Sequence, residues 1–296
     1  MLAVGGWRAG VLIGLLQRSH ISCLQSDANR ADQRDAIVAA RYGGLVAAIV
    51  SISAPRGADS LAAHHPIGMS TGVFDDVRGV WPRLVVAACE VSTYAVELSA
   101  LSEDELPGLI EYLAARPRLS FRYVSVHAPV KHRVLDDAVS AHVLNGLPLW
   151  VRSIVTHPDV LDEPAVYRGL GTRLVLENMD DRKSNGRTAD ELAVVFEQLP
   201  DAGFCFDVAH ACSIDPTMGV AGDLLDRFRS RLRQVHVSSL SGGRHVPLTE
   251  DDEGRFASVL DRCRDVPWIL EARPPDRWLE ELRSPGLASI GETLTT

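Results

Sequence analysis

The sequence predicts an α/β chain folded as a (β/α)8 barrel from about residue 67 onward. Eight short runs rich in Val, Ile, Leu and Phe follow one another at intervals of about 30 residues, the length of one strand-plus-helix unit. The runs are continuously apolar rather than alternating, as strands of a parallel sheet covered on both faces are. Longer stretches with helical periodicity separate them. Eight strands alternating with helices fit a closed barrel better than an open doubly wound sheet. The sheet alternative also lacks its markers, since no run is followed by G-x-G-x-x-G or by a phosphate-loop Lys-Ser/Thr.

In chain order the runs are IGMST, TYAVELS, YVSVHAP, SIVTHP, RLVLEN, GFCFD, RQVHVS and WILEA. They end near residues 71, 98, 127, 157, 177, 207, 237 and 272. The intervening helices have readable starts. Ser102 precedes Glu103, Asp104 and Glu105, which place acids in a first helical turn where the helix dipole favours them. Thr188 precedes ADELAVVFEQL with Glu191 three residues on, a capping-box pattern.

Residues 1–66 lack this rhythm and are read as an N-terminal extension, expected to be disordered or non-native sequence from a start placed too far upstream. Within it, Arg30 to Ile49 has the make-up of a helix. SAPRGADSLAAHHP, with two prolines and small residues, reads as a linker that leaves His64 and His65 in a solvated loop. Residues 67–296 are assigned to the barrel.

Composition narrows the function classes. At 46% hydrophobic and 23% charged, the chain is an ordinary soluble globular protein. Its net charge of −9 argues against a broad basic face for nucleic acid but leaves room for a local basic groove. The five cysteines (Cys23, Cys89, Cys205, Cys212, Cys263) form no C-x-x-C pair, and the odd count suits a reduced, cytoplasmic protein with inert packing thiols. No segment reads as a membrane span: Ala36 to Ala54 is interrupted by Arg41, Gly43 and Gly44. The opening residues hint at an export signal, but the apolar run Val11 to Leu16 is short and Arg18 follows at once.

The chemistry lies at the strand ends, which a barrel of this kind gathers at one mouth. The second run ends in Glu97, the third in His127, the fourth in His157 and the fifth in Glu177. The sixth ends in Asp207, with His210 one turn later. The seventh carries His236, followed in its loop by Arg244 and His245, and the eighth carries Glu271 with Arg273 beyond it. A single imidazole after an apolar strand is usually a satisfied core or loop residue. Seven consecutive strands ending in a carboxylate or imidazole are a different matter, because uncompensated burial of charge costs several kcal/mol. A divalent cation is the natural partner of such a set.

RLVLENMD, GFCFDVAHA, RQVHVSSLSGGRHVPL and WILEA together resemble the xylose-isomerase-like TIM-barrel superfamily, over roughly residues 67 to 275. That superfamily includes sugar and sugar-phosphate isomerases and epimerases as well as endonuclease IV-type enzymes that cut abasic DNA. In the epimerase branch the resemblance implies one divalent ion held by Glu177, Asp207, His236 and Glu271, with the two glutamates moving the substrate proton. In the nuclease branch it implies further ions, one on His127, His157 and Glu177 and one involving His210 and His245. The family places an acid two residues before the second histidine of that last site, where this chain has Gly243. The APVKHR loop after His127 also lacks the aromatic residue that the nucleases carry near their first histidine. Members that act as isomerases carry histidines at the His127 and His157 positions too.

The expected activity is therefore metal-dependent isomerisation or epimerisation of a sugar, sugar phosphate or related polyol, with Mn²⁺, Zn²⁺, Co²⁺ or Mg²⁺ as cofactor. Glu177 and Glu271 would remove and return a proton. His210 and Arg244 would bind substrate oxygens. Glu97 would either bind a hydroxyl or stand as a salt-bridged strand-end carboxylate. The alternative is phosphoester hydrolysis at abasic DNA, which predicts more than one ion and a groove lined by Lys131, Arg133, Arg182, Lys183 and Arg244. In the bland reading of that last group, DDRK is a solvated loop. A third reading is a barrel that binds a metabolite or metal without turnover. A homodimer through the barrel helices is one expectation for assembly.

Overall fold

The computed structural model of the chain describes residues 65–276, 278 and 279. Cys23, His64 and the helix expected over residues 30–49 lie outside the described residues. Eight parallel strands close into a barrel in the order β1-β10-β7-β6-β5-β4-β3-β2. They are β1 (Ile67–Ser70), β2 (Ala95–Ser99), β3 (Tyr123–His127), β4 (Ser153–Thr156), β5 (Leu174–Glu177), β6 (Gly203–Asp207), β7 (Leu232–Val237) and β10 (Trp268–Leu270). Each of the eight runs read from the sequence holds one strand. Closure comes from β1, which pairs Gly68 with Ile269 on one side and with Ala95 on the other. A Cβ at Gly68 would lie 2.5 Å from the Ala95 Cβ and 2.6 Å from its carbonyl oxygen, so only glycine lets the strands meet there.

The helices of the outer layer among the described residues are α1 (Trp81–Val91), α2 (Leu106–Ala114), α3 (Asp137–Asn145), α4 (Ala189–Gln198), α5 (Val208–Ile214), α6 (Gly219–Phe228) and α7 (Glu250–Asp261). Ser102 and Glu105 form a reciprocal cap on a short 3-10 turn, Glu103–Glu105, that leads into α2. At α4 the box is only half made. Thr188 accepts from the Glu191 N–H, while the Glu191 carboxylate turns back to the Arg187 N–H and guanidinium instead. The ion pair with Arg187, one residue upstream of the cap, takes the carboxylate that the pattern assigns to it.

Three connections differ from a plain strand–helix repeat. Between β4 and β5 the expected helix is a 3-10 segment, Pro164–Arg173, bent at Gly171 with φ +56°. Between β6 and β7 the helix is split in two around Pro216. The segment after β7, expected to be loop, is an antiparallel hairpin of β8 (Ser239–Ser241) and β9 (Arg244–Val246), turning on Gly242 and Gly243 at φ +55° and +75°. A two-residue turn with both φ positive is the kind that matches strand twist, and glycine adopts it without strain.

Alternation along each strand sorts the core into two parts. Outward residues such as Val96, Val126, Leu176, Phe204, Phe206, Val235 and Leu270 pack against the helices in one large cluster. Inward, Val155, Val175 and Cys205 form a small apolar plug. Around it the interior of the barrel is polar: Glu97, Ser99, Ser125, His127, Ser153, Glu177, Asp207, Gln234 and His236 are all buried. Cys205 thus packs as expected, and burial pushes its thiol up.

His65 departs from its expected solvated loop. It is 2% exposed, with Nε2 3.0 Å from the Val266 carbonyl oxygen and its ring centroid 3.9 Å from that of Trp268. The Trp268 N–H reaches the Pro66 carbonyl at 3.0 Å, so the chain is already docked on the barrel before β1 begins.

Candidate metal centre

Each element delivers its polar residue for a local reason. Glu177 ends β5 and Asp207 ends β6. Asp207 is also the N-cap of α5, its Oδ1 accepting from the His210 N–H at 2.7 Å, which fixes His210 one turn above the strand. His236 lies within β7. Glu271 follows β10, where its own N–H donates to the Val237 carbonyl and keeps it in line with the sheet. His157 directly follows β4.

Glu177 is the hub. Its Oε2 is 3.3 Å from His127 Nε2, 3.5 Å from His157 Nε2 and 3.3 Å from His236 Nδ1. Its Oε1 is 3.2 Å from His210 Nδ1. Glu271 Oε1 is 3.4 Å from His236 Nδ1, and Glu271 Oε2 is 3.3 Å from His245 Nδ1. Three sets of donors lie within 4.8 Å of one another: Glu177, Asp207, His236 and Glu271; His127, His157 and Glu177; and Asp207, His210 and His245. The first two sets have the membership that the resemblance implies, and the third joins Asp207 to the His210 and His245 it implies. A fourth set replaces an acid with Cys205, beneath Glu177 and His236.

The arrangement fits a cation on two independent grounds. Four imidazoles have one ring nitrogen anchored. His127 Nδ1 is 2.9 Å from the Ala128 oxygen, His210 Nδ1 is 2.8 Å from the Asn178 oxygen and His245 Nδ1 is 2.7 Å from Ser238 Oγ. His236 Nε2 is 3.2 Å from Glu97 Oε2. Where the partner is a carbonyl or carboxylate, as for His127, His210 and His236, the anchor fixes the tautomer and leaves the other nitrogen's lone pair for a ligand. In addition, Asp207 Oδ2, His236 Nδ1 and Glu271 Oε2 are buried without a hydrogen-bond partner, a costly state that an ion between them would relieve.

Electrostatics in the ion-free protein reflect the crowding. Burial disfavours the Glu177 carboxylate, but His236 and His157 outweigh it and hold the group well below its usual range. Burial pushes Glu271 up to about 8, with Glu177 and Asp207 adding to the effect against His236. Burial opposes charge on His210, yet Asp207 and Glu177 push it up to about 10. The site therefore holds protons where a cation would take their place.

Glu97, expected either to bind a substrate hydroxyl or to stand as a salt-bridged strand-end carboxylate, is the second: it is fully buried beneath His236, 3.2 Å from its Nε2, and does not reach the mouth. Several other residues sit differently from expectation. Arg244 and His245 lie on β9 rather than in a loop, with Arg244 exposed. The DDRK segment is not simply solvated. Asp180 is 2% exposed and accepts from the Arg182 backbone N–H, Nε and Nη2. Asp180 Oδ2 also stands 3.9 Å from His210 Nε2. Arg182 Nη1 donates to the Gly243 carbonyl at 2.8 Å, and a Cβ on Gly243 would lie 2.1 Å from that nitrogen. A guanidinium thus occupies the place that a side chain at position 243 would need. Of the other cations expected around the mouth, Lys183 pairs with Asp159 at 2.8 Å and Arg133 pairs with Asp137 at 2.6 Å beside Glu103.

Asn178 was given no role by the sequence. Its side-chain amide donates to the Asp207 carbonyl at 2.9 Å and accepts from the Asp207 N–H at 2.8 Å, clipping the end of β5 to that of β6. Its place directly after a strand-end glutamate is the signal that could have found it.

Residues 163–285 match the family described as Xylose isomerase-like TIM barrel. Among solved structures, the chain is similar to endonuclease IV from Thermus thermophilus at 22% identity and a TM-score of 0.44, over 67% of this chain and 93% of that one. It is similar to 3-keto-D-glucoside 4-epimerase from E. coli at 15% identity and a TM-score of 0.49, over 74% and 97%. It is similar to D-psicose 3-epimerase from Clostridium cellulolyticum at 12% identity and a TM-score of 0.46, over 71% and 84%. No curated protein matches the sequence significantly. No helix among the described residues is long and apolar enough to cross a membrane.

Proposed function

We propose that this chain is a divalent-metal-dependent isomerase or epimerase acting on a sugar, sugar phosphate or related polyol. The observation that carries the reading is the pair of carboxylates at the centre. Glu177 Oε2 and Glu271 Oε1 stand 3.3 and 3.4 Å from the same atom, His236 Nδ1, and come from different strands of the barrel. Two carboxylates converging on one point suit a reaction in which one group takes a proton from carbon and the other gives one back.

A cation held by Glu177, Asp207, His236 and Glu271 would polarise a substrate oxygen and steady the negative charge that develops there, as Zn²⁺, Mn²⁺, Co²⁺ or Mg²⁺ would with these mixed donors. The chain's own residues do the rest. Glu177 and Glu271 move the proton, and fixed placement makes up for their weakened basicity. His210, with Nδ1 against the Asn178 oxygen, offers Nε2 to a substrate oxygen. Arg244 lies on the neighbouring hairpin, where it would meet the outer end of a substrate.

Phosphoester hydrolysis is the second reading, favoured by the two flanking donor sets, His127 with His157 and Glu177, and Asp207 with His210 and His245. Against it stand the pairing of Arg133, Arg182 and Lys183 with carboxylates, which leaves less positive field for a nucleic-acid backbone, and Gly243 in place of an acid. The deciding experiment is metal analysis of purified protein with two assays. One follows ketoses and polyols in D₂O for deuterium entering carbon next to the carbonyl. The other follows strand incision in a duplex with an abasic site. Wash-in with one exchangeable ion per chain supports the isomerase; two or more zinc ions with incision and no wash-in would sink it.

A further inference from the structure

Beneath the ligands a line of side chains crosses the barrel interior. Ser153 Oγ on β4 lies 2.7 Å from the Tyr123 hydroxyl on β3. That hydroxyl is 2.8 Å from Gln234 Oε1 on β7. Gln234 Nε2 donates to Glu97 Oε2 on β2 at 2.7 Å, and Ser125 Oγ donates to the same oxygen at 3.2 Å. Glu97 Oε2 stands 3.2 Å from His236 Nε2. Glu97, Ser125, Gln234 and His236 are all 0% exposed, so no substrate reaches this row.

The geometry fixes which way His236 works. Its Nδ1 faces Glu177 and Glu271 and has no hydrogen-bond partner. A ring that offers Nδ1 to a cation carries its proton on Nε2, and that proton needs an acceptor. Gln234 and Glu97 both lie within hydrogen-bond distance of Nε2. The Gln234 amide nitrogen, 2.9 Å away, is a donor in the orientation set by its bonds to Tyr123 and Glu97. Glu97 Oε2 is left as the acceptor, in a buried interior where a bond to a carboxylate is strong.

We propose that Glu97 is the positioning residue of this centre: its carboxylate holds His236 as the Nε2–H tautomer, turns Nδ1 toward Glu177, Asp207 and Glu271, and makes that nitrogen a better donor. The inference rests on the reading that these residues hold a divalent cation. Tyr123, Gln234 and Ser125 in turn hold Glu97, so side chains that bring no ligand atom of their own still set the angle of the one that does.

The test uses the full chain, stripped of metal and titrated with zinc against a chromophoric chelator. Long-range ¹H–¹⁵N spectra of the zinc-loaded, histidine-labelled protein accompany it. Glu97→Gln keeps the shape and one acceptor oxygen but loses the charge; it is expected to weaken zinc about tenfold and to move the His236 Nε2–H resonance upfield. Glu97→Met removes the acceptor and is expected to approach a loss of about a hundredfold, with a rapidly exchanging Nε2–H. If Glu97→Met does not fold, Glu97→Gln decides alone. Wild-type zinc affinity with an unshifted Nε2–H in the folded variants overturns the assignment of Glu97, while the metal centre stands. A wild-type chain that takes up neither zinc nor manganese overturns the metal centre, and this inference with it.

Discussion

Glu177 Oε2 lies 3.3 Å from His236 Nδ1, and the same oxygen is within 3.5 Å of two further histidines, His127 and His157. One atom therefore joins two of the three donor sets. Glu177→Gln preserves shape but removes the charge that balances three imidazoles. It is expected to lower the affinity for Zn²⁺ or Mn²⁺ at least tenfold and to abolish turnover, read by metal analysis and by whichever assay the wild type passes. A variant that keeps both full metal content and full turnover would show that the centre has been assigned to the wrong residues.

Removing metal should also loosen the fold. Without a cation, Asp207 Oδ2, His236 Nδ1 and Glu271 Oε2 are buried without a hydrogen-bond partner. An ion present at a hundred times its dissociation constant adds about 2.7 kcal/mol to stability, or roughly 5–10 °C in melting temperature for a domain of this size. Calorimetry of the same preparation with EDTA and with excess Mn²⁺ or Zn²⁺ measures the difference. Coincident melting curves would count against a bound ion.

Most of the barrel and the roster of strand-end residues were legible in the sequence because both follow from short-range order. A continuous apolar run ending in an acid or imidazole is visible within five residues, and β5 with Glu177 or β6 with Asp207 shows it plainly. What stayed hidden depends on distance in sequence. Glu97 and Gln234 are 137 positions apart and meet only across the closed barrel, so a strand-end carboxylate could not be told from one that faces substrate. Asp180 reads as part of a charged loop until Arg182 folds back on it and Gly243 makes room. The hairpin after β7 is another case: its Gly-Gly turn was there to be read, flanked by Ser and Arg rather than by the apolar residues that usually announce strands. His65 was misplaced for a similar reason, since its partners Val266 and Trp268 lie at the far end of the chain.

Gly243 offers a direct test of how the mouth is built. Supplying the acid that the resemblance expects, by Gly243→Asp, asks for a side chain at φ +75° with its Cβ 2.1 Å from Arg182 Nη1. The guanidinium would have to leave both the Gly243 carbonyl and the Asp180 carboxylate. The expected result is a stability loss of about 1–3 kcal/mol with no extra ion bound, read by urea unfolding and metal analysis. Adding Arg182→Ala should recover part of that stability by emptying the slot. A single Gly243→Asp chain that gains one ion and loses no stability would mean that Arg182 is not what fills the place.

His65 should give the fold an acid-sensitive seam. Burial, helped by nearby Arg264, lowers its pKa from 6.5 to about 3, so the docked ring is neutral with Nε2–H donated to the Val266 carbonyl. In the unfolded chain the same ring takes up a proton near pH 6.5. Between those two values the unfolded state binds more protons than the native one, so stability is complete above about pH 6.5 and declines as pH falls. The slope approaches about 1.4 kcal/mol per pH unit from this residue well below pH 6.5, which integrates to about 1.6 kcal/mol between pH 6.5 and 5. Carboxylates contribute their own acid dependence, so the measurement is a comparison. Unfolding free energies of the wild type and of His65→Phe are followed from about pH 8 to about pH 5 in the same buffer series. The variant begins lower, having lost the bond to Val266, and the gap should narrow or reverse below pH 6.5 as the wild type alone loses the histidine contribution. Parallel curves over the whole range would place the His65 ring in water rather than against Trp268.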